Sequence, residues 1–160
     1  MHSSSMAEAE WMEQALLLAR RAGEEGEIPI GAVVVDREGT IVGRGRNARE
    51  TGDPLGHAEL FAIAEAAKAI GDWRLGGTTM VVTLEPCAMC AGAIVNARID
   101  RLVFGAPDPK GGFCGSLGNL VQDPRLNHRV ELVGGFMEER SRELLQSFFQ
   151  GVRRRKFGEP

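Results

Sequence analysis

The sequence predicts an α/β fold, and three observations carry that prediction. A β-rich run at 78–84, a helical stretch at 87–97 and a second β-rich run at 101–105 form a βαβ unit, which requires parallel strands. A β-branched run at 28–35 followed by Asp36-Arg37-Glu38-Gly39 and then Thr40-Ile41-Val42-Gly43 reads as a hairpin joined to the same sheet. Apolar residues at helical spacing flank both: Trp11, Ala15, Leu18, Ala19 and Ala22 before, Leu144, Leu145, Phe148 and Phe149 after.

The elements follow in order. The first six residues, Met1-His2-Ser3-Ser4-Ser5-Met6, read as an expression remnant or a disordered start, and a single domain is expected over 7–157. A helix is predicted over 7–22, stopped by Gly23, then the two hairpin strands. Residues 44–56 are polar, with Gly and Pro among them, and read as a loop. The run 57–70 is a strongly apolar helix ending at Gly71. After the βαβ unit, 106–128 holds Pro107, Pro109, Pro124 and four glycines; a loop this long in a compact domain is usually functional, as a lid or binding wall. A last strand is predicted at 129–133 and a last helix at 137–149, with Arg153-Arg154-Arg155-Lys156 beyond it.

Composition narrows the class. With 160 residues and 43% hydrophobic content the chain suits one domain with a proper core. No apolar run reaches the roughly 18 residues of a membrane span, and no signal-peptide pattern opens the chain, so a cytoplasmic protein is expected. Three cysteines argue against a disulfide framework. A net charge of -3 gives no global sign of nucleic acid, yet the basic run at 153–156 stands out in a mildly acidic chain.

The chemistry is concentrated in Leu84-Glu85-Pro86-Cys87-Ala88-Met89-Cys90. Pro86 suits a helix's first turn, and thiols at i and i+3 then share one face, where unpaired backbone N–H groups favour thiolates. Upstream, Gly56-His57-Ala58-Glu59 supplies a third ligand in His57 and a carboxylate in Glu59. Three ligands, His57, Cys87 and Cys90, leave a fourth position open, the mark of a catalytic zinc centre. H-x-E followed by P-C-x-x-C is the arrangement of zinc-dependent nucleobase deaminases, with the glutamate as proton carrier rather than ligand. On a regular helix residues i and i+2 diverge, so His57 and Glu59 can serve one site only at its first turn.

Other residues compete for roles. Cys114 as a fourth ligand would close the shell and make the zinc structural, leaving Glu59 without work. Glu85 is the rival to Glu59 as general base but reads better as a residue that bonds backbone, and His128, in a polar loop, reads as structural. The basic run, with Arg153 and Arg154, reads either as a solvated helix end or as RNA phosphate contacts.

Beyond the zinc motifs the chain resembles the bacterial tRNA-specific adenosine deaminases over 11–156. The resemblance lies in Pro29-Ile30-Gly31-Ala32-Val33, Gly45-Arg46-Asn47, Asp53-Pro54, the two zinc motifs, Phe104-Gly105-Ala106-Pro107-Asp108, Gly115-Ser116, Asn127-His128-Arg129-Val130-Glu131 and the basic end. It implies a three-layer α/β/α cytidine-deaminase-like fold with a five-stranded mixed β-sheet, one Zn2+ per chain and a homodimer. It also implies hydrolytic conversion of adenosine to inosine at the wobble position of a tRNA anticodon, in an arginine tRNA. Asn47 would contact the flipped adenosine and Asp108 its sugar, with residues 106–116 lining the mouth. Two other readings remain: a deaminase of free bases or nucleosides such as guanine or cytosine, and a non-catalytic zinc-stabilised RNA-binding module.

Overall fold

The computed structural model describes residues 4–156. Its five strands are β1 (Gly31–Val35), β2 (Ile41–Arg46), β3 (Thr79–Leu84), β4 (Arg101–Ala106) and β5 (Glu131–Val133), and its four helices are α1 (Ser4–Glu24), α2 (Ala58–Ile70), α3 (Ala88–Asn96) and α4 (Glu138–Lys156). They form one mixed sheet in the order β2-β1-β3-β4-β5. β1 is antiparallel to both β2 and β3, whereas β3, β4 and β5 run parallel. The βαβ unit read from the sequence is β3-α3-β4.

Strands that are apolar at successive positions bury both faces, and the packing divides accordingly. Ala32, Val34, Met80, Val82, Leu102 and Phe104 join the cluster under α2 and α3, while Val33, Val35, Val81 and Val103 join Met12, Ala15 and Leu16 of α1 and Leu144 of α4. Two helices thus cover each face, giving the expected three-layer α/β/α fold. The hairpin turns at Asp36, whose carboxylate accepts the N–H groups of Glu38 and Thr40.

The boundaries depart from the sequence reading in several places, the first being β1, which begins at Gly31 and not at residue 28. α1 begins at Ser4, so part of the stretch set aside as a disordered start lies in the helix. β2 continues to Arg46 through residues expected to be loop. Its glycines are not breakers: a Cβ on Gly43 would lie 2.1 Å from the Ala62 carbonyl oxygen, and one on Gly45 2.0 Å from that of Ala58, so their bare backbones let α2 lie directly on the strand. β5 has three residues instead of five. α4 runs on to Lys156, its four terminal cations placed where the negative end of the helix dipole favours them.

The long segment after β4 is folded, not loose. Cys114, Val121 and Val130 enter the core under α3, Val130 donates to the Val121 carbonyl, and His128 Nε2 lies 2.7 Å from the Ile99 carbonyl oxygen. His128 is therefore structural.

Candidate active site

One edge of the sheet collects the ends that carry the motifs: the carboxyl ends of β3 and β4, the end of β2 and the start of β1. Two helices also begin there. His57, with extended backbone, is the N-cap of α2, and Cys87 is the N-cap of α3. Pro86 thus precedes the cap and is not a first-turn residue, a correction to the sequence reading. Cys87 sits on the cap and Cys90 three residues on, and both sulfurs still converge. Neither N-cap side chain bonds its own helix. For α2 that duty passes to Asn47, whose Oδ1 accepts the Ala58 N–H at 3.0 Å.

His57 Nδ1 lies 3.5 Å from the Sγ atoms of both Cys87 and Cys90, and the three donor atoms fall within 4.8 Å of one another. One imidazole nitrogen and two thiols at this spacing are a zinc donor set, and they fit the ion. Cys114, buried under the loop, is not among these donors, so the closed four-ligand shell does not form among the described residues. The Cys87 thiol is lowered to about 5, first by the hydrogen bond from Cys90 and also by the Cys90 N–H and His57, against the effect of burial. Cys90, the partner in that bond and more deeply buried, is pushed up.

Glu59, in the first turn of α2, is 4% exposed, and burial raises its carboxyl to about 7, the charge of Cys87 adding to the effect. A carboxyl poised there can both take and return a proton at neutral pH. Glu85 behaves differently. Burial alone would raise it, but hydrogen bonds from Ser116, Asp108 and Cys114 outweigh burial and hold it below the usual carboxylate range. It remains an acceptor and not a shuttle.

These groups open onto a cavity of about 540 Å³ lined by His57, Glu59, Cys87, Asn47 and Asp108. Pro107 to Lys110, in the stretch expected at the mouth, line it too, as do Leu84 and Glu85 at the end of β3, while Ile28 and Ile30 ahead of β1, Arg49, and Leu145 and Phe149 of α4 are walls not read from the sequence. Leu145, Phe149 and Arg153 recur every four residues, a stripe that carries the cavity wall outward; Arg153 lines a shallow groove with Leu145 and Phe149. That spacing was the available signal. Arg154 is exposed, but one residue further round the helix and off the stripe.

A buried carboxylate beside a His/Cys/Cys donor set, at the ligand-binding edge of an α/β/α sheet, defines a zinc-dependent deaminase. The profile of the cytidine and deoxycytidylate deaminase zinc-binding region matches residues 6–106. The chain is 50% identical over 147 residues to a tRNA-specific adenosine deaminase of Bacillus subtilis, covering 91% of each, and 47% identical over 146 residues to one of Haemophilus influenzae, covering 91% of this chain and 84% of that one. Among solved structures, one from work on A-to-I editing by tRNA:A34 deaminases superposes with a TM-score of 0.81 at 46% identity, covering 86% of this chain and 99% of the other. The guanine deaminase of Nitrosomonas europaea, at 22% identity and a TM-score of 0.75 over 86% and 82% of the two chains, shares the fold. The chain belongs to the tRNA-specific adenosine deaminase family.

Proposed function

We propose that the enzyme hydrolyses the exocyclic amine of adenosine at the wobble position of a tRNA anticodon, leaving inosine. The observation that carries this reading is the buried Glu59 beside the three donors at the floor of a cavity large enough for a nucleoside. His57, Cys87 and Cys90 would hold zinc. Zinc, when bound, supplies Lewis acidity able to bring a water from a pKa of about 15.7 to about 7. Glu59 takes the first proton of the attacking water and passes it to the ring nitrogen beside carbon 6, then takes the second from the hydroxyl formed on that carbon and passes it to the amine, which leaves as ammonia when the C–N bond breaks. Asn47, fixed through Oδ1 to the start of α2, has its amide nitrogen to offer the base, and Asp108 stands on the wall that meets the sugar.

Polynucleotide binding extends the site along α4. Phe149 presents a face on which a base can stack, and Arg153, one turn further, reaches a phosphate. An anticodon loop offers its bases at little unstacking cost. The substrate proposed is an arginine tRNA, and the assembly a homodimer that covers apolar side chains such as Phe61 and Ile70, which α2 leaves exposed. No described helix is long and apolar enough to cross a membrane, in keeping with a proposed cytoplasmic site of action. Measuring inosine formation on an anticodon stem-loop beside free adenosine, cytidine and guanine tests the proposal. Faster turnover of a free base would replace it with a small-molecule deaminase.

A further inference from the structure

Glu85 is a 2% exposed carboxylate that belongs to neither the donor set nor the proton path. Its oxygens accept the backbone N–H groups of Asp108 at 2.9 Å, Cys114 at 3.1 Å and Ser116 at 2.9 Å, together with the Ser116 hydroxyl. All four donors lie on the segment after β4. Bonds of this kind, to an ionised acceptor, are roughly twice as strong as neutral ones. The two residues that follow Glu85 hold the same segment: Phe113 donates to the Pro86 carbonyl at 2.9 Å, and Gly112 bridges to Cys87. The fit is tight enough that a Cβ on Gly112 would lie 2.2 Å from the Glu85 carboxyl carbon.

We propose that Glu85 is a positioning residue for the reaction: it holds the substrate wall at Asp108 in register with the strand end that carries Cys87. The proposal rests on the assignment of Asp108 to the nucleotide pocket made above. Three features separate this role from general support of the fold. The bonds begin on the stretch 107–110 that lines the cavity and continue through Cys114 and Ser116 just behind it, whereas the far part of the segment is held by Val121 and Val130 in the core. The first of them is made by the N–H of Asp108 itself. The clamp is also chemically specific, because a glutamine would turn an N–H toward N–H donors and lose at least one of them.

The test is a double-mutant cycle on the zinc-loaded protein, with Glu85→Gln and the milder Ser116→Ala each alone and combined with Asp108→Ala. kcat and KM are measured on an anticodon stem-loop, with zinc content and amide hydrogen exchange alongside. The expected result is full zinc content, faster exchange at the amides of residues 108, 114 and 116, and a fall of about 10²-fold in kcat/KM for Glu85→Gln, the scale of a misplacement near 1 Å. Added to Asp108→Ala, Glu85→Gln should cost no more than about twofold further. Losses that multiply independently while Asp108→Ala is itself harmful overturn the positioning role alone. A silent Asp108→Ala overturns the pocket assignment, and the inference with it. If Glu85→Gln does not fold, the Ser116→Ala cycle decides by the same criterion.

Discussion

Gly45→Ala should damage both the fold and the metal site, by a route that can be worked from the packing. The added Cβ would lie 2.0 Å from the Ala58 carbonyl oxygen, 2.8 Å from the Ala62 nitrogen and 2.9 Å from the Phe61 Cβ. Ordinary contact begins at 3.4 Å, so strand and helix must separate by more than 1 Å, and the obstacle is helix backbone with no rotamer to change. Overpacking typically costs about 1 to 3 kcal/mol, and a backbone obstacle places this case at the upper end. About 3 kcal/mol in a chain of this size lowers Tm by about 6 to 12 °C. Ala58 follows His57 directly, so the displaced turn carries Nδ1 away from the two sulfurs and zinc affinity should fall as well. Thermal unfolding with metal analysis measures both, and Gly76→Ala, with nothing within 4 Å of its Cβ, serves as the unperturbed control. If Gly45→Ala melts with Gly76→Ala and retains its zinc, the account of α2 seated on bare strand backbone is wrong.

Three further outcomes follow from the site. Cys87→Ala and Cys90→Ala should lose zinc while Cys114→Ala keeps one per chain; loss of zinc in Cys114→Ala, read by metal analysis, would mean a closed shell. Glu59→Ala should retain zinc and fold but lose turnover by at least about 10² to 10⁴, the range for general acid–base groups, and single-turnover kinetics showing near-normal chemistry would move the proton role elsewhere. Neutralising the basic run at 153–156 should chiefly raise KM and reduce the log-log salt slope of stem-loop binding by about 0.7 to 0.9 per lost phosphate contact, with Arg153→Gln outweighing Arg154→Gln; an unchanged slope would leave the run a solvated helix end.

The sheet's interior and the donor set were legible because their signals are local. β1 and β3 read as strands from runs rich in β-branched residues, and His57, Cys87 and Cys90 from spacing and residue chemistry alone. The errors share one cause, that a neighbour distant in sequence decided the outcome. Gly45 stands in a polar stretch that reads as loop, yet α2 lying across it made it strand. Phe149 has the spacing of a core residue and ends 44% exposed, because the helix passes the edge of the sheet and part of its apolar face meets a cavity. Glu85 read as a backbone-bonding residue, but its partners at 108, 114 and 116 lie across a loop whose course no local pattern foretells.

Both helices that open on the site begin with residues withdrawn from capping. A serine or aspartate at such a position typically contributes about 1 kcal/mol, and His57 and Cys87 forgo it in favour of ligation. A zinc held by His57, Cys87 and Cys90 would tie the start of α2 to the start of α3, two elements from separate parts of the chain. Its binding therefore adds to folding stability by mass action, by about 4 kcal/mol when free zinc stands a thousandfold above its dissociation constant. Metal supply would then bear on how well this chain holds its fold as well as on whether it can turn over.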